Sequence, residues 1–280
     1  MLIRIGFDIV TRQSFPTPMI LMLHTRPELK PALVRPDDLV VSPPQEIEEY
    51  TDIYGNRCTR IVACPGSVRL ACDAVIENDG QPDRIVPDAI QHPVEELPQE
   101  CLLYLLSSRY CEVDRLSGFA WEKFGHTKPG WERVQAVCDF VHNHVTFGYQ
   151  FASPNKTAKD VLDDGKGVCR DYQHLAVTLC RALGIPARYC SGYLGSIRIP
   201  AGEEVDFSAW FEVYLGGQWY AFDARYNTPR IGRTLMVVAR DATDTALITS
   251  FGRHELERFK VICEEIESLP EENPVPRVEG

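Results

Sequence analysis

Apolar residues recur at every second position at the start of the chain, where Ile3, Ile5, Phe7 and Ile9 make one face of a strand. A second run, Pro18 to His24, follows, and then Ile47 to Tyr54, Arg57 to Cys64 and Ser67 to Ile76. Tyr54-Gly55-Asn56 and Pro65-Gly66 supply turns between these runs. Short strands at this spacing predict a small all-β domain, a sandwich or barrel, over residues 1–95. A connector rich in proline and acid, Pro82 to Pro98, marks its boundary.

Beyond the connector the period becomes helical. Glu100 to Tyr110 reads as a helix carrying Leu102, Leu103, Leu105 and Leu106. Trp131 to His144 reads as an amphipathic helix opened by Pro129-Gly130, with Trp131, Val134, Cys138 and Val141 as its stripe. Phe147 to Gly167 is rich in loop signals. Val168, Leu175, Ala176, Leu179 and Leu183 then repeat at helical spacing until Gly184 closes the helix, with Pro186 just beyond. Ala187 to Leu194 reads as a strand and Val205 to Arg225 as a hairpin turned at Gly216-Gly217. Thr234 to Ala239 and Arg258 to Ile266 are expected to complete one antiparallel sheet on which the 168–183 helix packs. The pattern is α+β, with a second domain over residues 96–266; residues 267–280, dominated by Pro and Glu, are expected to form a disordered tail.

Cys169 falls in the first turn of that helix. Unpaired N–H groups and the positive end of the helix dipole favour a thiolate there. A buried, inert cysteine is an equal reading of the spacing alone. Four segments shift the balance: Gly165-x-Gly167-x-Cys169-x-Asp171, the run Ala182 to Tyr189, Ala209-Trp210-x-Glu212-Val213-Tyr214, and Trp219-x-x-Phe222-Asp223. In order and spacing they resemble the bacterial transglutaminase-like superfamily of papain-like cysteine enzymes, over roughly residues 100–265. The resemblance implies a nucleophile at Cys169, an orienting acid at Asp223 and a histidine immediately before Ala209-Trp210. Ser208 stands at that place.

Hairpin geometry shows what the change costs. If Gly216 and Gly217 are the central turn residues, Leu215 pairs with Gln218, Ser208 opposes Arg225, and Asp223 lies diagonally on the same face. An imidazole can bridge that diagonal, whereas a hydroxymethyl is too short and lacks basicity near neutral pH. His174, five residues after Cys169, points about 140° away around the helix. His126, His142 and His144 read as surface or satisfied interior residues. Tyr149, Trp131 and Trp210 are candidates for substrate contact or a second oxyanion donor, the first donor being the backbone N–H of Cys169.

Composition narrows the functional classes. The 280 residues are 44% hydrophobic, enough for real cores, and carry a net charge of −11, which disfavours nucleic-acid or anionic-membrane binding. No apolar run approaches the ~18 residues of a membrane helix. The N-terminal ten residues read as a strand and not as a signal peptide. Ten scattered cysteines without a C-x-x-C pair signal neither a zinc site nor a disulfide scaffold, so a cytoplasmic protein without metal or cofactor is expected. The resemblance implies an acyltransferase, amidase or peptidase acting on a peptide or protein amide through a Cys169 thioester, nearly inactive because Ser208 replaces the base. The alternative is a natural pseudoenzyme that binds amide-containing peptides without turnover. Oligomeric state leaves no mark in the sequence.

Overall fold

The structure, a computed structural model, describes residues 1–199 and 206–270. Its strands are β1 (Leu2–Gln13), β2 (Thr17–Leu21), β3 (Leu33–Arg35), β4 (Val40–Ser42), β5 (Glu48–Thr51), β6 (Arg57–Ala63) and β7 (Gly66–Glu77), followed by β8 (Thr146–Phe147) and β9 (Lys166–Gly167). Then come β10 (Ala187–Tyr193), β11 (Phe207–Leu215), β12 (Gln218–Phe222), β13 (Thr234–Ala239), β14 (Ile248–Ser250) and β15 (Glu255–Ile266). The helices are α1 (Gln99–Leu102), α2 (Val113–Phe124), α3 (Trp131–His144), α4 (Ala158–Asp164) and α5 (Cys169–Ala182).

Alternation at β1 does what its pattern requires: Ile3, Ile5, Phe7 and Ile9 are buried and pack with Met19 and Leu21 of β2, Ile61 of β6 and Leu70 of β7. Two antiparallel sheets share this core, one ordered β15-β1-β7-β3 with β4 also on β7, the other β14-β2-β6-β5. A third antiparallel sheet, β12-β11-β10-β13, carries the hairpin, and its Leu215–Gln218 register is the expected one. Gly216 and Gly217 both have positive φ, 55° and 84°, as a two-residue turn of this twist demands.

The third sheet is covered on both sides. Phe211, Val213 and Leu215 pack with α3 and α5, while Trp210, Cys190 and Val238 form a separate cluster against Tyr54 of the N-terminal sheets. Burial on both faces explains why β11 reads as a nearly continuous apolar run.

Several expectations are corrected. The last strand does not join the sheet under α5: β15 pairs along its length with β1, and β14 pairs with β2, so the chain's C-terminal strands return to the N-terminal sheets. Pairing partners are set by which edge is free, a property that strand periodicity does not encode. Glu100 to Tyr110 is not one helix; α1 gives way to a 3₁₀ turn at Leu103–Leu105 and the chain is extended at Leu106. Helix α2, unanticipated because Ser117 and Gly118 interrupt its middle, packs on the core through Leu116, Ala120 and Phe124. Val205, the expected start of the hairpin, and residues 271–280 of the expected tail lie outside the described residues.

Candidate functional site

Helix α5 begins on Cys169, which the spacing places in its first turn. Asp171 fastens this end by accepting the Val168 N–H at 2.9 Å. The approach is tight at Gly167, where a Cβ would lie 2.6 Å from that of Asp171. The parallel pair β8–β9 seats Thr146–Phe147 against Lys166–Gly167, and Tyr172 donates its hydroxyl to the Val145 carbonyl at 2.6 Å. Arg170 ties the 153 loop to the same end through the Ser153 carbonyl at 2.5 Å.

The ladder between β11 and β12 ends at Phe211–Phe222, which leaves the β11 edge open at Ala209. The start of α5 docks there. Cys169 is half-buried as a residue, and the backbone N–H groups of Ala209 and Arg170 favour its thiolate. Burial nonetheless pushes the thiol above its ordinary value, with Arg225 opposing that rise and Asp206 adding to it. Here the thiolate expected from the helix start alone is outweighed by desolvation. The Arg225 guanidinium lies 3.7 Å from the centre of the Phe147 ring, and Phe147 is the ladder partner of Gly167.

Ser208 is buried and lies opposite Gly192 of β10, one residue before Ala209. Asp223 follows the end of β12. Its Oδ1 accepts Gln173 Nε2 at 3.0 Å and the backbone N–H groups of Arg225 at 3.0 Å and Tyr226 at 3.2 Å, while Oδ2 accepts Arg233 Nη2 at 3.1 Å. Arg233 is held from its other side by Asp83, and its guanidinium lies 5.1 Å from the Trp210 ring centre. The structure therefore brings Cys169, Ala209 and Asp223 to one sheet end, linked by Gln173.

The aromatic candidates separate. Trp210 is 1% exposed and packs with Cys190 and Val238, so it is an interior residue, not a substrate contact; β11 alternation carries its ring away from the α5 side. Trp131 is buried against Phe222, 4.5 Å between ring centres, and lines a cleft of about 80 Å³ together with Gln135, Asp223 and Asn227. Tyr149 is 62% exposed, edge-on to Phe147. His174 is fully buried, stacked on Tyr110, and accepts the Ala242 N–H at 3.1 Å. His142 and His144 bond the carbonyls of Arg225 and Leu162.

Two participants escaped the sequence reading. Gln173 stands four residues after Cys169, on the same helical face, so the period could have pointed to it. Arg233 reaches Asp223 from a separate turn and has no local signal.

A helix that starts on a cysteine and lies across an antiparallel sheet is the papain-like arrangement. The family model of the transglutaminase-like superfamily matches residues 120–224. The crystal structure of a "putative cysteine protease" from Cytophaga hutchinsonii aligns with a TM-score of 0.80 at 30% identity, covering 100% of this chain and 94% of that one. An uncharacterized protein of Mycobacterium leprae is 37% identical over 91 residues, 31% of this chain and 32% of its own length. A protein-glutamine gamma-glutamyltransferase of Pseudomonas aeruginosa is 35% identical over 95 residues, 30% of this chain and 14% of its own length. The match thus spans less than a third of either of these last two relatives. Residues 120–224 thus carry a domain of the transglutaminase-like superfamily.

Proposed function

We propose that this chain carries a cysteine acyl-transfer site in which Cys169 is the nucleophile, Asp223 occupies the acid position and Ser208 stands where the family's histidine would be. The substrate class is a peptide or protein amide, resolved by water or by an amine. The single observation that carries this reading is the placement of the helix that starts on Cys169 against the open β11 edge, where Gln173 joins Ala209, the residue after position 208, to Asp223. Attack would place the acyl oxygen near the N–H groups at the helix start, and the amine would have to leave as a neutral species. Neither Ser208 nor Arg225 can supply the proton, since a hydroxyl is too weak an acid and guanidinium does not deprotonate. Loss of a general acid–base costs ~10² to 10⁴ in rate, so amide turnover is slow.

A second reading, a pseudoenzyme that binds amide-containing peptides, draws support from Ser208, whose hydroxyl has no useful basicity near neutral pH.

Acyl donors that differ in leaving group test the first reading. An activated p-nitrophenyl ester of a glutamine-like acid loses p-nitrophenolate without needing a proton and should acylate Cys169, seen as a mass increase on the peptide carrying that residue and absent in Cys169→Ala. The matching carboxamide should release ammonia no faster than Cys169→Ala does. No ester-derived label on Cys169 would end the nucleophile assignment. Rapid amide turnover dependent on Cys169 would end the claim of a missing base.

A further inference from the structure

We propose that the outer edge of β15 is a self-pairing surface, on which a second copy of this chain lays its own β15 antiparallel and continues the sheet across a two-fold axis. Strand β15 ends its sheet: β1 pairs with one side of it, and no other strand among the described residues pairs with it. The stretch Glu255 to Lys260 is exposed throughout, with Leu256 at 58% and Phe259 at 42%. An edge of this length that carries apolar side chains is a template for another strand.

The chemistry of the edge selects the occupant. Its register with β1 slips between Val10 and Thr11, which take Arg258 and Leu256 as partners, so Glu257 is the extra residue of a bulge. Glu257 bonds Arg12 and Ser67, and Arg258 bonds Asp8, so these two consecutive residues share the face of the sheet that carries Asp8 and Arg12. Glu255, the ladder partner of Arg12, and Lys260, the partner of Asp8, lie on that face as well. Leu256 and Phe259, partnered with Thr11 and Ile9, lie on the other.

Directly opposed residues of antiparallel strands share a face. A two-fold axis between positions 257 and 258 therefore sets Glu255 against Lys260 of the second copy, Glu257 against Arg258 and Leu256 against Phe259. Every charge meets its opposite, and each apolar side chain meets another. In a regular strand positions 256 and 259 would fall on opposite faces, so only the bulge makes Glu-Leu-Glu-Arg-Phe-Lys self-complementary. Arg12 is engaged by Glu257, and Asp8 by Arg69 and Arg258, so Glu255 and Lys260 form no ion pair within the chain among the described residues. They are the charges that a second copy pairs anew. Charged edges ordinarily keep foreign strands off, whereas this one matches its own copy.

Sedimentation velocity of the full chain over a concentration series should show a reversible monomer–dimer equilibrium, with a dissociation constant on the order of micromolar for so short a contact. Glu255→Lys and Lys260→Glu each bring like charges together twice in the dimer, and each should raise that constant on the order of tenfold. Glu255→Lys/Lys260→Glu exchanges the two charges, restores both pairs and should return the constant to within about threefold of the parent. An equimolar mixture of the two single variants should dimerise as the parent does, because each supplies the charge the other lacks. Both positions are exposed, and thermal melts matching the parent establish that the variants fold. A monomer at every concentration, or a dimer that neither reversal weakens, would overturn the self-pairing edge. A dimer weakened by the reversals and not recovered by the exchange would overturn the two-fold register on which the proposal rests.

Discussion

Cys169 shows how two local effects compete at one atom. The helix start and Arg225 favour the thiolate, yet burial beneath the β11 edge weighs more and raises the thiol. We expect Cys169 alkylation in the parent chain to rise with pH to a midpoint above the ordinary thiol value of 9.0. Arg225→Gln should move that midpoint higher still, because it deletes the largest opposing charge. A midpoint near neutrality would contradict this balance. Ser208 changes none of these terms much; what it removes is the carrier that would move a proton from sulfur to leaving group.

At the scale of elements, the third sheet is anchored at both borders by side chains imitating backbone. On the α5 side the Gln173 amide takes over where the β11–β12 ladder stops, bonding Ala209 and Ala224 as a further strand would. On the opposite border, Asn56 from the β5–β6 turn gives Nδ2 to the Val238 carbonyl and receives the Val238 N–H on Oδ1, each at 2.9 Å. This buried pair joins β13 to the N-terminal sheets. Asn56→Ala leaves two buried backbone groups without partners and should cost about 2 to 4 kcal/mol in urea unfolding. A loss under about 1 kcal/mol would show that water or the chain replaces the contact.

The whole molecule is interleaved. Its last strand closes its first sheet, and the third sheet lies between helix α5 and the N-terminal core, with Tyr193, Phe207 and Met236 packed among β1 and β7 residues. Stability of that packing should depend on pH through buried imidazoles. Burial pulls His174 well below the usual 6.5, with Asp241 opposing and Arg170 and Arg181 assisting; burial lowers His24 too, with Arg57 assisting and Asp37 and Glu49 opposing. The unfolded chain then binds more protons than the native one below that value, so stability declines as pH falls through it. The urea midpoint should drop between about pH 7 and about pH 5, and His174→Gln should reduce the drop. An unchanged midpoint would mean that these rings accept protons in place. Among the described residues no helix is long and apolar enough to cross a membrane, and all ten cysteines are free thiols.

Period and punctuation in the sequence were enough for the parts governed by neighbours along the chain: the β1 alternation, the α3 and α5 helices, the Gly216-Gly217 hairpin with its register, and Cys169 in the first turn of α5. Each of these is written within a dozen residues, where side-chain direction follows from backbone geometry. Strand partners and the side chains that meet across the fold are not local. The return of β15 to β1, the burial of Trp210 on the far face of its sheet, and the Gln173 amide on Asp223 all join residues distant in sequence. Only the packed chain decided them, because a hydrogen-bond acceptor is filled by whichever donor tertiary structure brings within reach.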